Sequence, residues 1–290
     1  MREAKREKTD RMAAILFLAP SLTGFSLFFL IPFAVSIYYS LVDSPINGTF
    51  CGLTNYVKLL SNPIFLRAGF NTLVFTGLSV PLIMAISLGL AILLNNDIYG
   101  RNLFRAFFIS PLVIPVASVV LVWQILFSYG GSLNSILSAF GLAPVDWMDT
   151  SWARLAVLVV YLWKNAGYSM VLFLAGLQNI PASYYESARM DGATPWKCFT
   201  RITLVYLTPT SFFVFIISIL NSFKVFRETY LIAGSYPHES IYMLQHYMNN
   251  MFSSLDYQKL TSAAFIMAVC IVALVSFLFR FERKISRSIQ

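Results

Sequence analysis

Charged residues are scarce in this chain. Only 12% of its 290 residues are Asp, Glu, Lys or Arg, whereas 58% are hydrophobic. An average soluble domain has roughly 25% charged residues and about 45–50% apolar ones. The composition therefore excludes an ordinary soluble domain and indicates an integral membrane protein.

Cysteine and histidine are also few. The cysteines, Cys51, Cys198 and Cys270, lie far apart and show no paired spacing, so we predict no disulfide framework. His238 and His246 have no neighbour at a metal-ligand spacing, so we predict no metal site. The chain also lacks the G-x-x-x-x-G-K-[ST] loop that holds nucleotide phosphates, and it shows no clustered catalytic residues. These absences argue against an enzyme and against ATP hydrolysis by this chain itself.

Long apolar runs are what the chain does have. Six of them reach the roughly 20 residues that a helix needs to cross a hydrocarbon core of about 30 Å. They are residues 12–42, 69–94, 104–129, 152–177, 203–223 and 260–279. Their continuous length favours helices over a barrel. We therefore predict an all-α integral membrane protein with six transmembrane helices, forming a single domain over residues 1–290 and surrounded by membrane lipid.

The basic residues are distributed unevenly around these runs. Of 21 Lys and Arg residues, five precede the first run, two (Arg101 and Arg105) lie in or next to the loop between runs 2 and 3, three lie between runs 4 and 5, and four follow run 6. The side of the membrane that carries these basic residues also carries both termini. By the positive-inside rule, it is the cytoplasmic side of a bacterial or archaeal cell membrane. The net charge of +8 is explained by this topology, so no nucleic acid partner is predicted.

A polar segment of about 25 residues, residues 181–204, separates runs 4 and 5 on the cytoplasmic side. Ser183 and Glu186 have the S-x-x-E spacing of a capping box, which predicts a short helix over about residues 184–190. Gly192 lies where a left-handed turn would end that helix.

A second helix is predicted directly after this turn. Thr194 and Pro195 have the order of an N-cap and a first helical residue. The segment is therefore predicted to form a helix-turn-helix hairpin. Its first helix would expose an apolar surface that calls for a covering partner, in the helix-in-groove mode of recognition. The residues of that surface are Tyr184, Tyr185, Ala188 and Met190.

The hairpin has a recognisable pattern, E-S-A-x-x-D-G-A over residues 186–193 and F-x-x-I-x-L over residues 199–204. It resembles the cytoplasmic coupling loop of permease subunits in binding-protein-dependent ABC importers. Other segments are similar to maltose-type sugar permeases, in particular to the member encoded first in such pairs. These segments are F-L-A-P at 17–20, G-L-T-N-Y at 52–56, F-N-T at 70–72 and A-G-L-Q-N-I-P at 175–181.

The resemblance implies the type I ABC importer fold and a set of partners. These are a second homologous permease, a cytoplasmic ATPase dimer that holds ATP and Mg, and an extracytoplasmic sugar-binding protein. No cofactor is expected on this chain. In the family the loop inserts into a cleft of the ATPase, which assigns coupling roles to Tyr184, Tyr185, Glu186, Ala188, Asp191, Gly192 and Ala193. Glu186 has two open interpretations, closure of the capping box or pairing with a cation on the ATPase.

Lys164 is a charge well inside the fourth run, roughly 18 Å along a helix from its start. An intramembrane lysine is a candidate functional residue. Tyr161, Asn165 and Tyr168 share its helical stripe and form the polar and aromatic surface that sugars need. The resemblance places Tyr161, Lys164, Asn165, Tyr168, Ser218 and Ser222 at cavity-facing, substrate-binding positions. The alternative is that Lys164 pairs with a backbone carbonyl or a partner subunit and that the tyrosines pack between helices.

The function expected from these residues is translocation of a sugar or oligosaccharide by an ATP-driven importer. A permease for another small solute, such as glycerol phosphate or a polyamine, is one alternative. An ion-driven secondary transporter is another, although no Asp or Glu lies centrally in a predicted span. The outer segment, residues 224–259, is predicted to contain an interfacial helix with Ile241, Leu244, Met248 and Met251 on one face. That helix either covers helix ends or also docks an extracellular partner.

Overall fold

The computed structural model describes residues 2–289, with side chains for residues 12–280. It divides into two compact units. One holds the chain up to Asn62 together with Met251–Cys270, and the other holds Pro63–Asn250 and the chain after Cys270. The single-domain assignment stays a prediction.

Nearly all regular structure in the described residues is helical. The first unit contains α1 (Arg2–Phe25), a π-helical turn (Ser26–Leu30), α2 (Ile31–Ser40) and α3 (Thr54–Leu60). The second contains α4 (Pro63–Asn95), α5 (Arg101–Val113), α6 (Val116–Phe127), α7 (Ser132–Ala139), α8 (Ala153–Gln178), α9 (Ala182–Met190), α10 (Pro195–Cys198), a π-helical turn (Phe199–Thr203), α11 (Leu204–Tyr206), α12 (Thr208–Phe223) and α13 (Phe226–Ala233). Two helices, α14 (Leu244–Ser253) and α15 (Tyr257–Ile289), have residues in both units.

Six helical stretches of the described chain are long and apolar enough to cross a membrane. They are Met12–Ser40, Pro63–Asn95, Val116–Ala139, Ala153–Gln178, Thr208–Ala233 and Tyr257–Arg280. This confirms the predicted all-helical class and the number of spans. Two of the predicted helices differ from the structure: the third is interrupted, and the fifth continues past its predicted end.

The third run is two helices, not one. Helix α5 ends at Val113, and α6 begins at Val116. Between them Ile114 and Pro115 are extended, with ψ angles of 132° and 131°. A residue before proline is pushed out of the helical region, and the proline ring removes a backbone donor. The break therefore follows from the Ile-Pro pair.

The fifth run continues beyond its predicted end. Helix α12 stops at Phe223 as expected, but Lys224 and Val225 form only a tight turn before α13. The segment 226–233, which was assigned to the outer loop, is therefore helical and belongs to the fifth candidate span. This correction brings Glu228 into the span.

The core of the second unit lies where α8 packs against α4, α5 and α12. One buried cluster includes Phe75, Ile83, Val157 and Tyr161. The backbones of α5 and α8 meet at Gly167, where a Cβ atom would overlap the carbonyl of Phe108. Only glycine permits this approach. The contact sets the rotation of α8 about its axis, and with it the direction in which the predicted polar strip faces.

In the first unit, polar side chains hold the loop that follows α2. Asn55 Nδ2 donates to the carbonyls of Ser40 (3.1 Å) and Val42 (2.8 Å). The Tyr56 hydroxyl donates to Ser40 Oγ at 2.7 Å. In contrast, the first span covers Met12–Ser40, and its most apolar 18-residue stretch contains no buried residue. Its side chains are therefore available to lipid or to another chain.

Candidate functional site

A cavity of about 540 Å³ opens in the second unit between α8, α12 and α13. The side chains that α8 contributes are those of Tyr161, Lys164, Asn165 and Tyr168. These four were predicted from the sequence as one polar and aromatic strip, and the structure brings them together at one wall. The assignment of substrate binding to them remains a prediction.

Hydrogen bonds anchor the α8 wall. The Tyr161 hydroxyl donates to the Ser218 carbonyl at 2.9 Å, and the Tyr161 ring meets Phe75 edge-on at a centroid distance of 5.6 Å. Asn165 Nδ2 donates to the Tyr161 carbonyl at 2.9 Å. Tyr161 is thus mostly a packing residue, whereas Asn165 and Tyr168 present more of their surface to the cavity.

Lys164 forms an ion pair with Glu228 across the cavity wall. The side chain of Lys164 is 23% exposed and that of Glu228 is 9% exposed. The partner is a carboxylate of this chain, which replaces the predicted backbone carbonyl or partner subunit. Glu228 also lies in the first turn of α13, where a negative charge interacts favourably with the helix dipole.

Sequence reasoning missed Glu228 because the fifth helix was predicted to end at residue 223. Glu228 lies near the end of the fifth candidate span, Thr208–Ala233, so it does not contradict the prediction that no Asp or Glu lies centrally in a span. One signal could have found it: a lysine within a span needs a counter-ion, and Glu228 is the nearest acidic residue after the fifth run.

Two predicted cavity residues, Ser218 and Ser222, face away from the cavity. Both are buried, and Ser222 Oγ shares a hydrogen bond of 2.8 Å with Thr76 Oγ1 on α4. The lining residues of α12 are instead Ile217 and Asn221. Ser218 and Ser222 each follow one of these by one residue, which turns them by about 100° on the helix.

His246 on α14 lies behind the cavity residue Phe226. Its ring is fully buried and meets the Phe226 ring edge-on at a centroid distance of 4.8 Å. Burial lowers the pKa of His246 to about 4. Helix α14 corresponds to the interfacial helix predicted in residues 224–259. Ile241, which was predicted to lie on one face of that helix, precedes α14 and is buried in the core.

We expect His246 to make the folded protein less stable as the pH falls. Between pH 6.5 and about 4, the unfolded state binds a proton that the folded state does not. The free energy of unfolding should therefore drop by up to about 3 kcal/mol over that window. Thermal unfolding of the protein in lipid nanodiscs at several pH values measures this slope. His246→Gln should flatten it and His238→Gln should not; equal slopes in all three proteins would contradict the assignment.

The first helix of the hairpin in residues 181–204 begins earlier than predicted. Helix α9 starts at Ala182, and its N-cap is Pro181, with a ψ of 133°. Ser183 lies inside the helix and caps nothing, so the predicted capping box with Glu186 is wrong. Pro181 is extended and cannot continue the preceding helix, so α9 starts directly after it and not after Ser183. Glu186 is exposed, and the described residues include no ion pair with it.

The turn between the hairpin helices follows the prediction. Gly192 has a φ of 73°, its N–H donates to the Arg189 carbonyl (3.0 Å), and the Ala193 N–H donates to the Ala188 carbonyl (2.9 Å). This is the Schellman arrangement, which satisfies carbonyls at the helix end. The second helix then begins with Thr194 as N-cap, whose hydroxyl accepts the Lys197 N–H at 3.4 Å.

The hairpin exposes apolar side chains, but not the full predicted set. Tyr184 and Met190 are 44% and 89% exposed, and Trp196, which the sequence reasoning did not single out, is 69% exposed. Ala188 is half-buried. Tyr185 is also half-buried, because it packs on the core and its hydroxyl shares a 2.9 Å hydrogen bond with Thr203 Oγ1. Tyr185 thus anchors the hairpin to the membrane helices.

Six candidate spans, a polar cavity beside the fourth and fifth of them, and a hairpin with exposed apolar side chains are features of a membrane transport subunit. The profile of the family described as "Binding-protein-dependent transport system inner membrane component" matches residues 77–289. The chain belongs to this family.

Relatives and solved structures extend this likeness over nearly the whole chain. The lactose transport system permease protein LacF of Rhizobium radiobacter is 31% identical over 280 residues, which cover 93% of this chain and 94% of LacF. A crystal structure of a bacterial ABC transporter for import of the acidic polysaccharide alginate matches with a TM-score of 0.85 and 26% identity, covering 98% of this chain and 99% of that one. The same kind of transporter in complex with an alginate pentasaccharide-bound periplasmic protein matches with a TM-score of 0.83 and 25% identity, covering 98% of each chain.

Proposed function

We propose that this chain is the permease subunit of an ATP-driven importer that moves a sugar or oligosaccharide across the cell membrane. The observation that carries this proposal is the cavity between α8, α12 and α13. It combines side-chain amides of Asn165 and Asn221 with the aromatic rings of Tyr168 and Phe226. Sugars need such a surface, because their hydroxyls require hydrogen-bond partners while their C–H faces pack on rings.

The partners follow from the same proposal. A periplasmic or extracytoplasmic binding protein delivers the sugar, and a second permease completes the translocation path. The solved alginate transporter in complex with a pentasaccharide-bound periplasmic protein supports the first of these partners. The hairpin of α9 and α10 docks its exposed Tyr184, Met190 and Trp196 into an ATPase, which supplies ATP and Mg. Glu186, Asp191 and Gly192 lie on the same hairpin and take the coupling roles. Both termini lie on that cytoplasmic side.

The cavity also bears on the alternative substrates. Lys224 and Arg227 line it together with the paired Lys164. A polyamine would meet like charges there, which cost binding energy. This observation favours a saccharide over a polyamine as the substrate.

The proposal is tested by reconstituting the chain with its second permease, ATPase and binding protein in proteoliposomes. ATP-dependent uptake should appear only when all are present. Asn165→Ala should then reduce uptake about threefold to tenfold by removing one hydrogen-bonding side chain, with assembly unchanged. Asn96→Ala, an exposed asparagine at the end of α4 and outside the cavity lining, serves as the matched control. Uptake that continues without any ATPase would contradict the proposal.

A further inference from the structure

We infer that the cavity recognises an anionic saccharide, one whose acidic group lies against Lys224 and Arg227. This inference rests on the proposed function and names the substrate class of the same site. It depends on which charges in the cavity are already neutralised within the chain.

The cavity lining has more cations than anions. Lys164, Lys224 and Arg227 are the basic residues that line it, and Glu228 is the acidic one. Because Lys164 and Glu228 form an ion pair, their charges cancel locally. Lys164 itself therefore does not select an anion. The two remaining cations are Lys224 and Arg227.

Neither of these two cations has an ionic partner in the described part of the chain. Both are exposed, and no salt bridge or side-chain hydrogen bond involves either one among residues 12–280. A free cation beside a cavity with low-dielectric walls focuses a positive potential into it. An anion that enters would therefore gain charge-assisted hydrogen bonds, which are about twice as strong as neutral ones.

The position of Arg227 is not explained by helix stability. Lys224 follows the last residue of α12, where a positive charge interacts favourably with the helix dipole. Arg227 instead lies in the first turn of α13, where a positive charge opposes the dipole. Among the described residues, Arg227 thus has no stabilising partner at this helix end, and its guanidinium is available to a ligand in the cavity.

A neutral sugar would not need these cations. Asn165, Asn221 and Gln245 supply uncharged hydrogen-bonding groups, and Tyr168 and Phe226 supply rings. These five side chains suit the hydroxyls and C–H faces of a saccharide. Lys224 and Arg227 are then additional, and the ligand chemistry that uses them is a carboxylate or another acidic group on the saccharide.

The test measures direct binding to the assembled importer in nanodiscs, without the binding protein, because that protein makes its own selection. The probes are trigalacturonate, maltotriose with the same number of rings, and inorganic phosphate. Saturation-transfer NMR reports the affinity of each at low and high salt. We expect trigalacturonate to bind at least about tenfold more tightly than maltotriose at low salt, with the difference shrinking as salt rises.

The variants assign the effect to the two cations. In the Lys224→Gln/Arg227→Gln double variant, the affinity for trigalacturonate should fall to within about twofold of the affinity for maltotriose measured in the same variant. Arg227→Gln alone should give an intermediate loss and serves if the double variant does not assemble. Lys58→Gln, an exposed lysine on α3 outside the cavity lining, is the matched control and should change nothing.

The possible results distinguish a failure of this inference from a failure of the proposed function. Equal affinity for the acidic and neutral trisaccharides overturns the inference. Phosphate that binds as tightly as trigalacturonate also overturns it, because the site would then select a negative charge without a saccharide. An unchanged preference in the cation variants overturns it too. ATP-dependent uptake of a neutral saccharide by the complete importer would leave the proposed function standing in each case. Loss of ATP-dependence would overturn the proposed function itself.

Discussion

Replacing Gly192 with proline is expected to abolish ATP-dependent uptake by the reconstituted importer, by at least about a hundredfold. Gly192 has a φ of 73° and donates its N–H to the Arg189 carbonyl. Proline holds φ near −65° and has no N–H, so it removes both features of the turn. The direction of α10 relative to α9 would change, and Met190 and Trp196 would no longer share one docking surface. Copurification of the ATPase with the permease and uptake into proteoliposomes measure the two consequences.

A matched glycine provides the control for this prediction. Gly141 follows α7 with a φ of 74°, and its N–H donates to the Ser138 carbonyl at 3.0 Å. Gly141→Pro imposes the same local strain on a different loop, so its ATPase should still copurify. If both proline variants lose the ATPase equally, the effect of Gly192→Pro is general misfolding. If neither loses it, the hairpin is not the docking element.

Removing one member of the Lys164–Glu228 pair should destabilise the protein by about 3–5 kcal/mol. The side chain of Glu228 is only 9% exposed, so Lys164→Met leaves a carboxylate with little water and no counter-ion. Lys164→Met/Glu228→Met should recover most of that loss, because no unpaired charge then remains. Denaturant or thermal unfolding in nanodiscs, arranged as a double-mutant cycle, gives the coupling between the two residues.

An exposed ion pair in the same chain serves as the comparison. Arg67 pairs with Glu239, and these side chains are 60% and 64% exposed. Water screens this pair, so Arg67→Met should cost no more than about 1 kcal/mol. Similar losses from Lys164→Met and Arg67→Met would show that burial does not govern the ion pair of the cavity.

The membrane topology and the hairpin turn were accessible from sequence because each depends on local chemistry. Run length and hydropathy alone determine the number of spans. The turn at Gly192 and the helix start at Thr194 and Pro195 depend on neighbours a few residues apart. The capping box failed because Pro181, two residues before Ser183, competes for the same helix end and fixes an earlier start.

The cavity was only partly predictable. The α8 strip follows from i+3 and i+4 spacing around Lys164, whereas the α12 wall depends on how that helix is rotated against α4. Transferring positions from a resemblance placed Ser218 and Ser222 one residue away from the lining residues Ile217 and Asn221. Tertiary packing sets that rotation. The ion pair with Glu228 was missed for a different reason. Helix α13 is short and begins with charged residues, so its composition does not show that it continues the fifth span.

The contact between Gly167 and the Phe108 carbonyl constrains how the cavity can change shape. Two backbones that touch cannot slide along each other, because close-packed interfaces shift between discrete arrangements and do not deform continuously. We therefore expect α5 and α8 to move together when the cavity changes shape. The extended Ile114–Pro115 pair interrupts the helical hydrogen bonds directly after α5, so we expect any movement of that body relative to α6 to occur there. The tight turn at Lys224 and Val225 is a second break in the helices around the cavity, and we expect the remaining change of shape to occur there.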